Sequence, residues 1–137
     1  MCCKKNRNIL WGLIIFLAFT GCDKEEMLIN SWNLQTVLMN NEPLNDSTRF
    51  NIIPKYTYYS FYYANSLTVS TLVNGKYTSS SNGSYRFADR STLTMHFTLL
   101  YRTYDVTAEI KKLTRKELHL EYEDNGNTYF LKLYASQ

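Results

Sequence analysis

Leu118-His119-Leu120-Glu121-Tyr122-Glu123-Asp124-Asn125-Gly126-Asn127-Thr128-Tyr129-Phe130-Leu131-Lys132-Leu133 is the stretch that decides the fold of this chain. Before Asp124-Asn125-Gly126-Asn127, the residues Leu118, Leu120 and Tyr122 recur at every second position; after it, Tyr129, Leu131 and Leu133 do the same. Side chains alternate across a strand, so a period of two buries one face of each arm. Asn-Gly supplies the two positive-φ residues that a tight hairpin turn demands. The stretch is therefore predicted to be an antiparallel hairpin with one apolar face.

The same grammar extends toward the N-terminus. Leu67, Val69, Thr71 and Val73 alternate and stop at Asn74-Gly75. Lys76 to Ser79 reads as a polar strand, Ser80 to Gly83 has turn composition, and Tyr85 and Phe87 alternate ahead of Ala88-Asp89-Arg90-Ser91. Leu93, Met95 and Phe97 form the next face, followed by Tyr104, Val106, Ala108 and Ile110 up to a break at Thr114-Arg115-Lys116. Upstream, Trp32, Leu34 and Leu38 are expected to share one face of a first strand, and Tyr56 to Tyr63 (YTYYSFYY) carries aromatics on both faces. A short turn of helix fits residues 24–30, while residues 44–53 fit neither period. The expectation is an all-β fold, an antiparallel up-and-down meander of about eight strands closed into a small barrel, because an open meander leaves strand edges free to aggregate.

Ahead of this body lies a segment of another kind. The chain has 137 residues, 45% hydrophobic and 20% charged, too apolar for a disordered protein and the size of one domain. Three of its 15 basic residues, Lys4, Lys5 and Arg7, precede the uninterrupted apolar run Ile9–Phe19. Basic and acidic residues balance from Cys22 onward, which leaves no positive field for a nucleic acid. A helix over the apolar run, at about 1.5 Å per residue, reaches roughly half of a ~30 Å hydrocarbon core, so a signal-peptide core fits its length better than a membrane span.

Phe19-Thr20-Gly21-Cys22, which follows, resembles the lipobox of bacterial lipoproteins, with Phe19 where that family more often has Leu, Val or Ile. The resemblance implies removal of residues 1–21 and a diacylglyceryl and acyl (palmitate-type) anchor on Cys22. Cys2 and Cys3 leave with the leader, so the mature body would keep no free thiol for a disulfide or a metal. Lys24-Glu25-Glu26 directly behind Cys22 is similar to the surface-export signal of some Gram-negative lipoproteins. That implies a lipid-anchored protein of the outer membrane, displayed on the cell surface, with the periplasmic face as the alternative. Residues 22–28 read as a lipidated tether and 29–137 as the barrel domain.

That domain resembles the lipocalin-like domains of small bacterial lipoproteins. The matching features are Ser31-Trp32-Asn33-Leu34, Gly83-Ser84-Tyr85 with Leu93, Tyr104 to Leu113, and Leu118-His119-Leu120-Glu121 leading to Leu131-Lys132-Leu133. Ser31 stands where the family usually has Gly. The resemblance implies an up-and-down barrel and fixes no function.

Candidate chemistry is sparse. His119, Glu121 and Glu123 share one strand face, but same-face residues sit about 6.5–7 Å apart, too far for three ligands to converge on one ion unaided. His96 falls on the polar side of its strand, and Asp105, Glu109, Glu121 and Glu123 read as outward or turn positions. There is no G-x-S-x-G, H-E-x-x-H or Walker loop, so no enzyme, metal or cofactor is expected. The tyrosines stand out: all 12 lie beyond Cys22. Alternation puts Tyr56, Tyr58 and Tyr62 on one face and Tyr59, Phe61 and Tyr63 on the other, and both faces cannot be core. With Trp32, Phe87, Phe97 and Tyr122 pointing inward, the barrel is expected to be mostly filled. A surface or mouth site built from Tyr56, Tyr58, Tyr59, Tyr62 and Tyr63 is therefore expected to bind a small amphiphile or glycan. The competing expectation is a protein partner in the envelope, as an accessory subunit of an outer-membrane assembly or as an inhibitor or immunity protein.

Overall fold

The computed structural model describes residues 23–45 and 56–136. The leader, Cys22, most of the ambiguous 44–53 stretch and Gln137 lie outside the described residues. The elements are α1 (Asp23–Leu28), β1 (Ser31–Met39), β2 (Glu42–Pro43), β3 (Tyr58–Tyr62), β4 (Ser66–Val73), β5 (Lys76–Ser79), β6 (Ser81–Phe87), β7 (Thr92–Leu99), β8 (Arg102–Leu113), β9 (Glu117–Asp124) and β10 (Asn127–Ala135). Eight of the strands run β10-β9-β8-β7-β6-β4-β3-β1, and antiparallel pairing of β1 with β10 closes the ring. The two extra strands are short: β2 folds back on β1, and β5 pairs with the far half of β4. This is the expected all-β up-and-down meander, closed into a barrel consistent with a lipocalin-like fold.

Alternation places the core. Leu93, Met95, Phe97 and Leu99 of β7, Leu118 and Leu120 of β9, and Tyr129, Leu131 and Leu133 of β10 all point inward and are buried. Trp32 lies fully buried at one end, its indole N–H donating to the Leu28 carbonyl at 2.9 Å. Phe87, expected inward, packs on the core only half-buried. Edge-to-face rings (Phe61 on Tyr85 at 5.1 Å, Tyr59 on Phe97 at 6.2 Å) tie β3 to β6 and β7 through the interior.

Three bulges break the simple alternation. In β1 the register slips between Leu34↔Leu133 and Thr36↔Lys132, so Gln35 is extra. The inward series consequently continues with buried Val37, and Leu38, expected on the Trp32 face, turns outward opposite Phe130. In β8 the slip lies between Ile110↔Leu120 and Lys112↔His119, which again keeps two apolar residues three apart, Ile110 and Leu113, on the interior side. The third falls in β6 between Ser81↔Thr98 and Ser84↔His96. Ser80 to Gly83, whose composition suggested a turn, is thus mostly strand with one residue too many. Asn82 adopts φ +52°, and a Cβ on Gly83 would fall 1.8 Å from the Leu67 carbonyl oxygen, so only glycine fits.

The connections sort the molecule into two ends. α1, the 63–65 turn, the 88–91 turn and the 114–116 turn gather at one end. Phe61 N–H donates to Asn30 O there, Lys24 Nζ to Arg90 O, and Ala135 N–H to Lys116 O. Asn40-Asn41, Asn74-Gly75, Leu100-Tyr101 and Asn125-Gly126 form the turns of the other, each pair with both residues at positive φ.

Candidate functional site

The aromatic run 56–63 is divided by the strand it forms. Tyr59 and Phe61 enter the core, Tyr58 faces outward, and Tyr56 precedes the strand half-exposed at φ +60°. Tyr62 and Tyr63 lie at the helix end, 51% and 64% exposed. The five tyrosines expected to form one site therefore occupy three places.

What gathers around Tyr58 comes from other strands. Asn33 of β1 is directly opposite Tyr58 of β3 on one side and Tyr134 of β10 on the other. Two interstrand spacings of about 4.8 Å separate the backbones that carry the two tyrosines, with Asn33 on the strand between them. The bulge in β1 turns Gln35 outward beside this row, and Ala135 and Ser136 complete an open groove of about 420 Å³. Tyr77 extends it, its ring edge-on to Tyr58 at 5.9 Å, and the adjacent Tyr58 hydroxyl holds the Tyr77 phenol above its ordinary value. The neighbouring outward positions are hydroxyls paired with each other, Ser31 with Ser60 at 2.8 Å and Ser70 with Ser79 at 2.9 Å. Strands β1, β3 and β4, adjacent in the sheet, contain no charged residue. Rings flanking amide and hydroxyl groups without fixed charge suit a neutral, polyhydroxylated or amphipathic surface: flat apolar faces meet the rings and hydroxyls meet the amides.

Asn33, Gln35, Tyr77 and Tyr134 were missed because nothing local links them to Tyr58. Alternation puts Asn33 and Tyr134 outside, but only the β10-β1-β3 register brings them together.

A second opening lies at the far end. The β8–β9 ladder begins only at Glu109↔Glu121, so the first half of β8 splays from β9. Tyr104, Val106 and Tyr122 line a small cavity of about 60 Å³ there, bounded by the Arg102–Asp124 ion pair at 3.3 Å. Arg102 also lies 4.9 Å from the Tyr104 ring centre, Tyr104 stacks on Phe97 at 4.8 Å, and Tyr122 stacks on Tyr129 at 5.3 Å. Burial pushes the Tyr122 hydroxyl well above the usual phenol range. The cavity is large enough for a few waters and too small for a sugar.

The histidines sit on the outer wall. His96 Nδ1 lies 2.5 Å from Asp105 Oδ1, and Ser84 is its cross-strand neighbour on β6, which makes a Ser84–His96–Asp105 row across three strands. No hydrogen bond joins Ser84 to His96 among the described residues, and the row is open, His96 46% and Asp105 77% exposed. His119 is mostly covered, and burial draws its pKa below the ordinary value against the opposing pull of Glu117, 3.2 Å away. That contact lacks hydrogen-bond geometry. Glu121 pairs with Lys111 at 3.5 Å, so it and Glu123 do not converge with His119. No group of three or more metal-ligating side chains occurs among the described residues.

Cys22 lies outside the described residues. Lys24, Glu25 and Glu26 stand on α1, where the Glu25 carbonyl accepts from Ile29 N–H at 3.0 Å and Glu26 is half-buried. The segment read as a tether is a helix packed on the barrel, ending in fully buried Leu28. No family model, no curated protein and no solved structure matches the chain.

Proposed function

We propose that this chain is a cell-envelope lipoprotein, acylated at Cys22, whose barrel acts as a non-enzymatic binding module for a neutral glycan or the sugar-like head of a small amphiphile. The lipobox-like Phe19-Thr20-Gly21-Cys22 supports the anchor, and Lys24-Glu25-Glu26 supports display on the outer face of the outer membrane. One observation carries the binding reading: the groove in which Tyr58 and Tyr134 flank Asn33, where the uncharged strands β1 and β3 meet β10. Of the tyrosines expected to bind, Tyr58 lines this groove and is the one the proposal uses; Tyr59 is buried in the core, and Tyr62 and Tyr63 lie at the helix end.

Calorimetric titration of the mature domain with neutral oligosaccharides tests the reading. Saturable binding should fall about tenfold or more in Tyr58→Ala with Tyr134→Ala, each ring being worth roughly 0.5–1.5 kcal/mol. Binding untouched by the double substitution would remove the groove from the account. Cys22→Ala should separately abolish acyl labelling and release the protein from membranes.

A second reading, a protein partner, is favoured by Leu100-Tyr101. Both residues sit at positive φ, Tyr101 is 105% exposed, and a strained, protruding apolar tip is the shape of a contact residue. Crosslinking from this turn to one stoichiometric partner, with no glycan bound, would favour it.

A further inference from the structure

We propose that the helix end of the barrel is a membrane-contact face, so that the barrel stands upright on the bilayer holding its acyl chains. The inference rests on acylation at Cys22 and goes beyond it. One peptide bond joins Cys22 to Asp23, the first residue of α1, and consecutive Cα atoms are about 3.8 Å apart. α1 is fastened to the barrel: Leu28 is fully buried, its carbonyl accepts from the Trp32 indole, Asn30 O accepts from Phe61 N–H, and Lys24 Nζ donates to Arg90 O. No length of chain is left as slack between the acylated residue and the barrel.

The surroundings of α1 suit a lipid headgroup layer. Tyr62 and Tyr63 are 51% and 64% exposed, and amphipathic tyrosine rings settle at the boundary between headgroups and acyl chains. Arg90, Arg115 and Lys116 project from the turns of the same end, where long basic side chains reach phosphates. The acids there, Glu25, Glu26 and Asp89, offset that charge, so the acyl chains and the two rings supply the attachment and not a positive field. Asp89 is engaged by Ser91 and Thr92. The opposite end carries Lys76 and Tyr77 after Asn74-Gly75 and Arg102 after Leu100-Tyr101, with Arg102 paired to Asp124. No acylated residue lies next to it, so the position of Cys22 beside α1 decides which end faces the bilayer. An upright barrel also puts Asn33, two residues from Ser31, about 7 Å along its strand from the membrane end. The groove then lies close to headgroup level.

The test uses the full chain, expressed with its leader and reconstituted as the mature protein in phosphatidylcholine–phosphatidylglycerol nanodiscs whose acyl chains are brominated. Tyr63→Trp and Tyr101→Trp place a reporter at each end, against the common background of fully buried Trp32. Bromine should quench the Tyr63→Trp signal at least about threefold more than the Tyr101→Trp signal, as expected for rings about 5–10 Å into the interface. Equal quenching, or stronger quenching at position 101, overturns the upright orientation. Intact mass separates the causes. An acylated protein with equal quenching sinks the orientation alone, and a protein without acyl mass sinks the anchor and the orientation together.

Discussion

Two walls of this barrel use the same antiparallel pairing and differ in what they show to solvent. On β8, β9 and β10 the outward residues answer one another: Lys111 lies 3.0 Å from Glu109 and 3.5 Å from Glu121, Lys112 is 2.8 Å from Glu117, and Phe130 lies under Lys132 and beside His119. On β4, β3 and β1 no charge is present, and the outward residues are hydroxyls, amides and rings. A wall laced with ion pairs satisfies its polar groups internally and is well hydrated, so it gains little from a partner. The uncharged wall leaves ring faces open at low desolvation cost, and the Tyr58–Asn33–Tyr134 row runs from it to the margin of the charged wall at β10, which is where a neutral ligand would gain most.

The comparison breaks most readily at the backbone. Gly83→Ala should be the most damaging single change, about 4 kcal/mol or more in denaturant melts, because the new Cβ meets the rigid Leu67 carbonyl of the uncharged wall. Gly75→Ala, with nothing near its Cβ but φ at +75°, should cost only about 1 kcal/mol. Equal costs at the two positions would mean that the β6 bulge yields.

Next in size is the strain at Leu100-Tyr101. Replacing the pair by Asn-Gly, the sequence of two other turns at that end, should stabilise the barrel by roughly 1–2 kcal/mol. A gain in stability with a loss of partner crosslinking would show strain retained for contact.

On the charged wall the effects should be small. Lys111→Ala should leave stability almost unchanged, the more so in high salt, and leave oligosaccharide binding unchanged. A comparable loss of binding there would erase the functional distinction between the walls.

The pH response should be the most modest. The native state holds His119 below its ordinary value of 6.5, so the unfolded chain takes up the proton first as pH falls. The stability contribution is complete above that value and is lost between it and the lower native value. His119→Gln should flatten this part of the profile. The losses from Glu117 and Asp89, whose carboxyls are held below their ordinary values by Lys112 and by the Ser91 backbone respectively, should remain at more acid pH.

Much of the barrel was legible because alternation is a local property. The hairpins at Asn74-Gly75 and Asn125-Gly126, the inward series on β7, β9 and β10, and the helical turn near residue 24 follow from neighbours a few positions apart. The bulges were not. A face change at Gln35 or Lys111 is visible only as two apolar residues three apart, a spacing that strand and helix both allow. The extra residue in β6 could be told from a turn only by the strands on either side. Likewise YTYYSFYY was correctly read as unable to bury both faces, while the end of its strand at Tyr62 depended on where β4 turns back.

The amino-acid sequence by itself determined which residues prefer water and with what period, hence an all-β meander with one apolar face, and it contains the lipobox-like segment on which the anchor proposal rests. The tertiary structure alone decided which outward residues become neighbours. Register across β10, β1 and β3 joins Asn33, Tyr58 and Tyr134 over about 100 positions of chain, and the same closure packs α1 against one end. The physical reason is that burial acts on each strand separately, whereas a surface site arises from the side of the strand that burial leaves unconstrained.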